Sequence, residues 1–282
     1  MEVIAVRRIA MVVLLAVLLA GCADAAVAPG GATTPTTLGS PTTTDAPGRV
    51  VALPAYYVAS TPAGFRLQRE FHRVTTTDAA SDAVREMFGA ALDPDYRSYW
   101  PAGTALRSPV VAGDLITVDL TAQAAGPATD PAAARMSLQQ LVYTVQGVLR
   151  STLPVRVLVD GAPAATVLGG IDVSAPVLRG DAYAVRSLVQ IDSPMNGASV
   201  ERDVVVSGEA AVFEANLPWE VRREGVVVRS GAASTAEGQR FSPYSFTVTL
   251  EPGTYELRVT EDDPSDGAGR PPMTDTKTIT VV

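Results

Sequence analysis

The spacing of apolar residues changes once along this chain, near Leu188, and that change divides it into two kinds of fold. Before it, two stretches repeat apolar residues every three to four positions: Ala80, Ala83, Val84, Met87, Phe88 and Ala91, then Leu138, Leu141, Val142, Val145, Val148 and Leu149. That is the spacing of helices with one buried face. Asp78 stands where it can cap the first helix, and Asp130-Pro131 gives the second a cap and a first-turn proline. Strands read at 51–59, at 65–74, as a pair over 110–120 bent at Ala112-Gly113-Asp114, and at 155–159 before the Asp160-Gly161 turn. Strands and helices alternating without a long parallel run predict an α+β sandwich over residues 51–182.

Beyond Leu188 helical spacing is gone. Short runs at 189–191, 204–207, 217–223, 226–229, 245–250, 255–260 and 276–282 are separated by turn clusters, among them Ser193-Pro194-Met195-Asn196-Gly197 and Glu251-Pro252-Gly253. These runs predict an all-β immunoglobulin-like sandwich over residues 188–282. Tyr255, opening the penultimate strand, is placed to form a tyrosine corner. The cysteine pair of such sandwiches is absent, so Trp219, Phe213 and Phe246 are expected to pack in its place.

The chain of 282 residues holds one cysteine, Cys22, which rules out a disulfide within it. Arg7 and Arg8 precede an apolar run over 9–20 that leads into Gly21-Cys22. As a helix that run would span roughly 18 Å, against about 30 Å of hydrocarbon in a bilayer. A basic stub, a short apolar core and small residues before a cut make a secretory signal instead. Leu19-Ala20-Gly21-Cys22 also resembles a bacterial lipobox, which implies a diacylglycerol on the Cys22 thiol after residues 1–21 are removed. The expected location is the outer face of the cytoplasmic membrane. A plain secreted protein cut near Ala20 is the alternative.

Residues 22–50 are almost all Ala, Gly, Pro, Thr, Ser and Asp, too polar and small to form a core, and read as a disordered tether. Its Thr-Pro clusters are either a plain spacer or O-glycosylation acceptors. The full chain is 47% apolar and 18% charged, a globular composition. The formal charge of −8 becomes more negative when Glu2, Arg7 and Arg8 leave with the leader. Such a surface repels phosphate backbones, so nucleic acid is not expected as a partner. It also repels an anionic membrane, leaving attachment to the lipid on Cys22. Arginine, alanine, valine and aspartate dominate beside a single lysine, Lys277, a bias that points to a GC-rich, actinobacterial kind of genome.

Residues 103–121 (Gly-Thr-Ala-Leu-Arg-Ser-Pro-Val-Val-Ala-Gly-Asp-Leu-Ile-Thr-Val-Asp-Leu-Thr) resemble the central signature of the GerMN domain. Its later parts are matched by Gln140-Leu141-Val142-Tyr143-Thr144-Val145, Val157-Leu158-Val159-Asp160-Gly161 and Leu168-Gly169-Gly170-Ile171-Asp172-Val173-Ser174-Ala175-Pro176. Residues 189–282 resemble the immunoglobulin-like domain that follows GerMN in spore-germination-type proteins. The carriers are Ile191-Asp192-Ser193-Pro194, Gly208, Val212-Phe213-Glu214-Ala215-Asn216-Leu217 and Gly253-Thr254-Tyr255. The resemblance implies an envelope-associated protein with no established reaction, and the motif residues read as structural. A GC-rich genome need not belong to an endospore former, so a germination role is not carried over.

Chemistry is sparse. No Gly-x-Ser-x-Gly, His-Glu-x-x-His or phosphate-binding glycine loop occurs, and no catalytic residue or cofactor is expected. His72, the sole histidine, reads either as a base for Ser81 or as an exposed strand position among Arg66, Arg69, Glu70 and Arg73, and the second is expected. Asp262, Asp263 and Asp266 could offer oxygens to calcium, or form an ordinary solvated loop. Tyr96, Tyr99 and Trp100, beside Arg97, lie in a loop after the first helix. They either stack on a sugar or a protein partner or cover the end of the sheet. The function expected is a non-catalytic, lipid-anchored envelope protein offering a scaffold or docking surface to envelope partners. The alternatives are a peptidoglycan- or polysaccharide-binding lipoprotein and, more remotely, an envelope hydrolase.

Overall fold

A long hairpin opens the described part of the chain. In this computed structural model, which describes residues 48–263 and 267–282, β1 (Arg49–Thr61) and β2 (Gly64–Thr76) pair antiparallel along their whole length. The sequence alternation that would bury one face here buries both, because each face finds a cover. Tyr56 and Val58 pack with Leu67, Tyr143 and Val185, while Ala55, Tyr57 and Ala59 pack with Tyr96. β1 starts two residues inside the stretch expected for the tether. The leader, the lipobox and nearly all of the tether lie outside the described residues.

Both helices start where their caps predict. Asp78 accepts the Ser81 N–H at 3.2 Å before α1 (Ala79–Phe88). Asp130 accepts the Ala132 N–H at 2.9 Å, and a 3-10 turn over Pro131–Ala133 leads into α2 (Ala134–Leu149). β3 (Tyr96–Arg97) pairs with the far end of β1. β4 (Val111–Ala112) turns back on β5 (Ile116–Leu120) as the bent pair read from the sequence. α2 then crosses over to β6 (Val155–Val159), which lies parallel to β5. Short strands β7 (Ala162–Pro163), β8 (Thr166–Val167) and β9 (Ile171–Asp172) and a single turn, α3 (Ala182–Val185), finish this domain. Its main core joins Ile116, Val118 and Leu120 to Leu141, Val142 and Val145 and to Val155 and Val157. Each fully buried aliphatic side chain there contributes about 1.5–3 kcal/mol of burial.

The second domain is a two-sheet sandwich. One sheet orders β10 (Val189–Ser193), β12 (Asp203–Ala210) and β15 (Ser242–Thr249). The other orders β11 (Ala198–Val200), β17 (Thr274–Val281), β16 (Gly253–Thr260), β13 (Asn216–Arg223) and β14 (Val226–Ser234). Its core sets Val206 and Ile191 against Leu217, Val221, Leu257 and Ile279. The tyrosine corner forms as expected: the Tyr255 hydroxyl donates to the Glu251 carbonyl at 2.9 Å. Trp219 stacks on Phe246 with ring centroids 4.7 Å apart, as expected. Phe213 does not join them. It sits in a 3-10 turn (Phe213–Ala215) before β13 and stays 37% exposed, because Glu214 and Ala215 adopt positive φ and carry the chain off the sheet.

Candidate functional site

The loop after α1 is the place where the two domains meet, and its aromatic residues serve that meeting. Trp100 is buried, donates its indole N–H to the Ser137 carbonyl of α2 at 3.0 Å, and packs edge-on against Phe88. Tyr96 is buried against β1. Neither is a free stacking platform: an amphipathic ring gains more from a core with a partner for its polar atom than from water. Tyr99 is half-buried, edge-on to Phe65, and alone of the three keeps a partly open face.

Tyr96 ends in a buried cluster of charge. Its hydroxyl donates to Asp275 Oδ1 at 2.5 Å, and Lys277 Nζ reaches Asp93 Oδ2 at 2.7 Å, the Tyr96 hydroxyl at 2.5 Å and Asp275 Oδ1 at 3.1 Å. Asp275 Oδ2 also accepts the Ile191 N–H at 2.6 Å. Asp93, Asp275 and Lys277 are each 2–3% exposed, so the cluster is a desolvated junction of the first domain with β10 and β17 of the second. Burial works against the Lys277 ammonium, but Asp275 and Asp93 outweigh it and raise its pKa. Burial pushes the Tyr96 phenol well above its usual range, with the Asp275 charge adding to it. Burial also raises the Asp275 pKa, against the pull of the Lys277 ammonium.

His72 is not an exposed strand residue. It is 8% exposed, with Nδ1 2.8 Å from Glu86 and Nε2 3.0 Å from Glu70, and it stacks on Tyr57. Glu70 also accepts the N–H groups of Leu92 and Asp93, at 2.9 and 2.8 Å. The histidine thus anchors the carboxylate that holds the loop, and the hydrogen bond it donates to Glu70, outweighing its burial, raises its pKa. It makes no bond to Ser81, whose hydroxyl bonds Asp78 and accepts the Val110 N–H at 2.9 Å. A second junction lies alongside. Arg69 grips Asp192 bidentately at 2.6 and 3.2 Å, and Arg186 bonds Glu209 at 2.7 Å.

Beside the buried cluster opens a polar cleft of about 540 Å³, walled by the loop and the ends of β1 and β2 on one side and by β16 and β17 on the other. A depression of about 680 Å³ lies across the same loop, sharing Pro94, Tyr96, Arg97 and Tyr99 with it. Of the carboxylates considered for calcium, Asp263 accepts the Gly267 N–H at 2.9 Å and Asp266 lies outside the described residues. Among the described residues no group of three His, Cys, Asp or Glu side chains is arranged to hold a metal ion.

The residues that the sequence reading missed are Asp93, Asp275, Lys277, Glu70 and Glu86. One signal was present: 275, 277, 279 and 281 alternate as one face of the last strand, and two of those inward positions carry charge.

Two family models match separate parts of the chain. Residues 54–165 match the family described as sporulation and spore germination, and residues 188–268 match the immunoglobulin-like domain of bacterial spore germination. Among solved structures, the tandem GerMN domains of the sporulation protein GerM from Bacillus subtilis are similar at 10% identity and a TM-score of 0.39. That match covers 71% of this chain and 62% of the GerM chain, so the chain spans under two thirds of that relative. The first GerMN domain of the same protein matches at 14% identity and a TM-score of 0.36, covering 46% of this chain and 99% of that one. A putative lipoprotein from Clostridium perfringens matches at 15% identity and a TM-score of 0.32, covering 46% of this chain and 88% of that one. A search of curated proteins gave no match.

Proposed function

Because this chain pairs a GerMN domain with the immunoglobulin-like domain of bacterial spore germination, and so belongs to the sporulation- and germination-related GerM-like proteins, we propose that it is a docking platform of the cell envelope. It is held on the outer face of the cytoplasmic membrane by a diacylglycerol on Cys22 and presents both domains to another envelope protein. The observation that carries this reading is the seam. Lys277, Asp93, Asp275 and Tyr96 spend their hydrogen bonds on each other, fixing one domain against the other. His72, Glu70 and Glu86 spend theirs on the loop that makes the seam. Charged groups used in this way support a surface of constant shape, which favours recognition by a partner, because little ordering is left to be done on binding. The leader pattern ending at Cys22 supports the anchor.

Replacing Cys22 by alanine and fractionating cells tests the anchor: the variant is expected in the soluble or secreted fraction, and unchanged membrane association defeats it. Photo-crosslinkers placed on the exposed faces of both domains in living cells test the docking. A discrete adduct that depends on the position of the crosslinker is the expected result, and adducts indifferent to position count against it.

A further inference from the structure

The open end of the β1–β2 hairpin holds a cleft that the docking reading does not use. It has a volume of about 540 Å³, within the size of small-ligand sites, and lies between the first half of β1, β2 and the last turn of α2. Three guanidinium groups line it, those of Arg49, Arg69 and Arg150, and no carboxylate does. In a chain with a formal charge of −8 that is a local reversal of sign. Arg69 is already held by Asp192 and Glu209. Arg49 and Arg150 are exposed and make no ion pair or side-chain hydrogen bond among the described residues. Arg73, which faces Ala52 across the hairpin and so shares its side, adds another such cation next to the cleft. The C-terminus of α2 sets about half a negative charge against them, and the unpaired cations outweigh it.

The floor between these cations is apolar, with Pro54, Phe71 and Val148 half-buried in it. Val50, 61% exposed, continues the face of β1 that carries Ala52 and Pro54. One polar group stands on this floor. Tyr56 is 2% exposed and packs edge-on against Tyr143. Its hydroxyl has no hydrogen-bond partner among the described residues, yet it is not sealed from solvent. A phenol this deeply covered ordinarily finds a partner; here the O–H is left to donate into the cleft.

From this arrangement we infer that the cleft binds the head of an anionic phospholipid. The phosphate oxygens accept from the forked N–H groups of Arg49 and Arg150 and from the Tyr56 O–H. The first carbons of the acyl chains lie on Pro54, Phe71 and Val148, a cover that a bare phosphate ion does not supply. A membrane lipid is within reach. The chain coming from Cys22 enters the fold at Arg49, in the wall of the cleft, and those 27 residues span at most about 95 Å. Occupancy fixes which end of the α+β domain faces the membrane. The choice of a membrane lipid rests on the anchor proposed above, but binding in solution does not, so a failed titration and a failed Cys22→Ala fractionation are told apart.

Titration calorimetry on the full chain in uncharged detergent, with detergent alone as the blank, tests it with three probes. They are dihexanoylphosphatidylglycerol, dihexanoylphosphatidylcholine and inorganic phosphate. Saturable binding of the phosphatidylglycerol, with the zwitterionic lipid and the bare ion each at least about tenfold weaker, is the expected outcome. No saturable binding of the phosphatidylglycerol, or any smaller preference, overturns the inference. Two variants place the site. Arg150 closes α2 with φ 49°, a left-handed turn that glycine enters at less cost, so Arg150→Gly should keep or raise the denaturant midpoint. It should still weaken binding about tenfold or more, the size expected for a lost charged hydrogen bond. Tyr56→Phe removes a hydroxyl that bonds nothing in the fold and should weaken binding about fivefold at an unchanged midpoint. Unchanged affinity in either variant overturns the assignment.

Discussion

His72 shows how much one residue depends on neighbours that sequence does not place beside it. Read along the strand it is one charged residue among several; in the fold it carries Glu70 and Glu86 at its two ring nitrogens. With a folded pKa raised above the ordinary value of about 6.5, the protonated ring is what the fold stabilises. That contribution is fully present below the unfolded value and is lost as pH rises through the higher folded one. No other histidine titrates in this window. Denaturant midpoints taken from pH 6 to pH 8.5 should therefore fall for the wild type and stay flatter for His72→Gln. Parallel slopes would remove His72 from that role. The same limit applies to Tyr96 and Trp100. Three aromatics beside an arginine look alike in sequence whether they face a ligand or a core, and only the positions of Ser137 and Asp275 decide between the two.

Elements were far more legible than side-chain destinations. The caps at Asp78 and Asp130, the strand pair around Gly113, the turn at Asp160-Gly161 and the tyrosine corner at Tyr255 all follow from local rules, and local rules act within a few residues. Phe213 went astray because its exposure depends on positive φ at the next two residues, for which Glu and Ala give no warning. Gly208 lies between these cases. In the sequence it reads as a glycine of the immunoglobulin-like motif, yet it sits mid-strand in β12, where paired β10 lies so close that a Cβ would come within 1.9 Å of the Gln190 carbonyl oxygen. The same carbonyl accepts the Tyr244 hydroxyl at 2.9 Å, so it cannot give way cheaply. Gly208→Ala should cost about 3 kcal/mol or more through overpacking, read as a lower denaturant midpoint with the slope unchanged. A variant within about 0.5 kcal/mol of wild type would show that the two strands can separate at no cost.

At the scale of the whole molecule, two hydrophobic cores are joined by charge. The aliphatic cluster under α2 and the cluster inside the sandwich are separate, and the charged contacts spanning them include Lys277 with Asp93, buried, and Arg69 with Asp192, half-buried. Two cores with a weak seam unfold separately; a seam that is costly to open makes them unfold together. Removing the cation while leaving two buried carboxylates should cost about 3–5 kcal/mol, because the remaining charge is uncompensated. That cost falls on the joined state alone, since an opened seam returns Asp93 and Asp275 to water. Scanning calorimetry should then show one transition for the wild type and two for Lys277→Met, with the sandwich and the α+β domain melting apart. Adding Asp93→Asn to Lys277→Met removes one of the stranded charges and should bring the two transitions back toward each other. If the wild type already melts in two steps, or Lys277→Met melts in one step at an unchanged temperature, the buried cluster does not couple the domains. The cleft beside it would then lose its fixed walls.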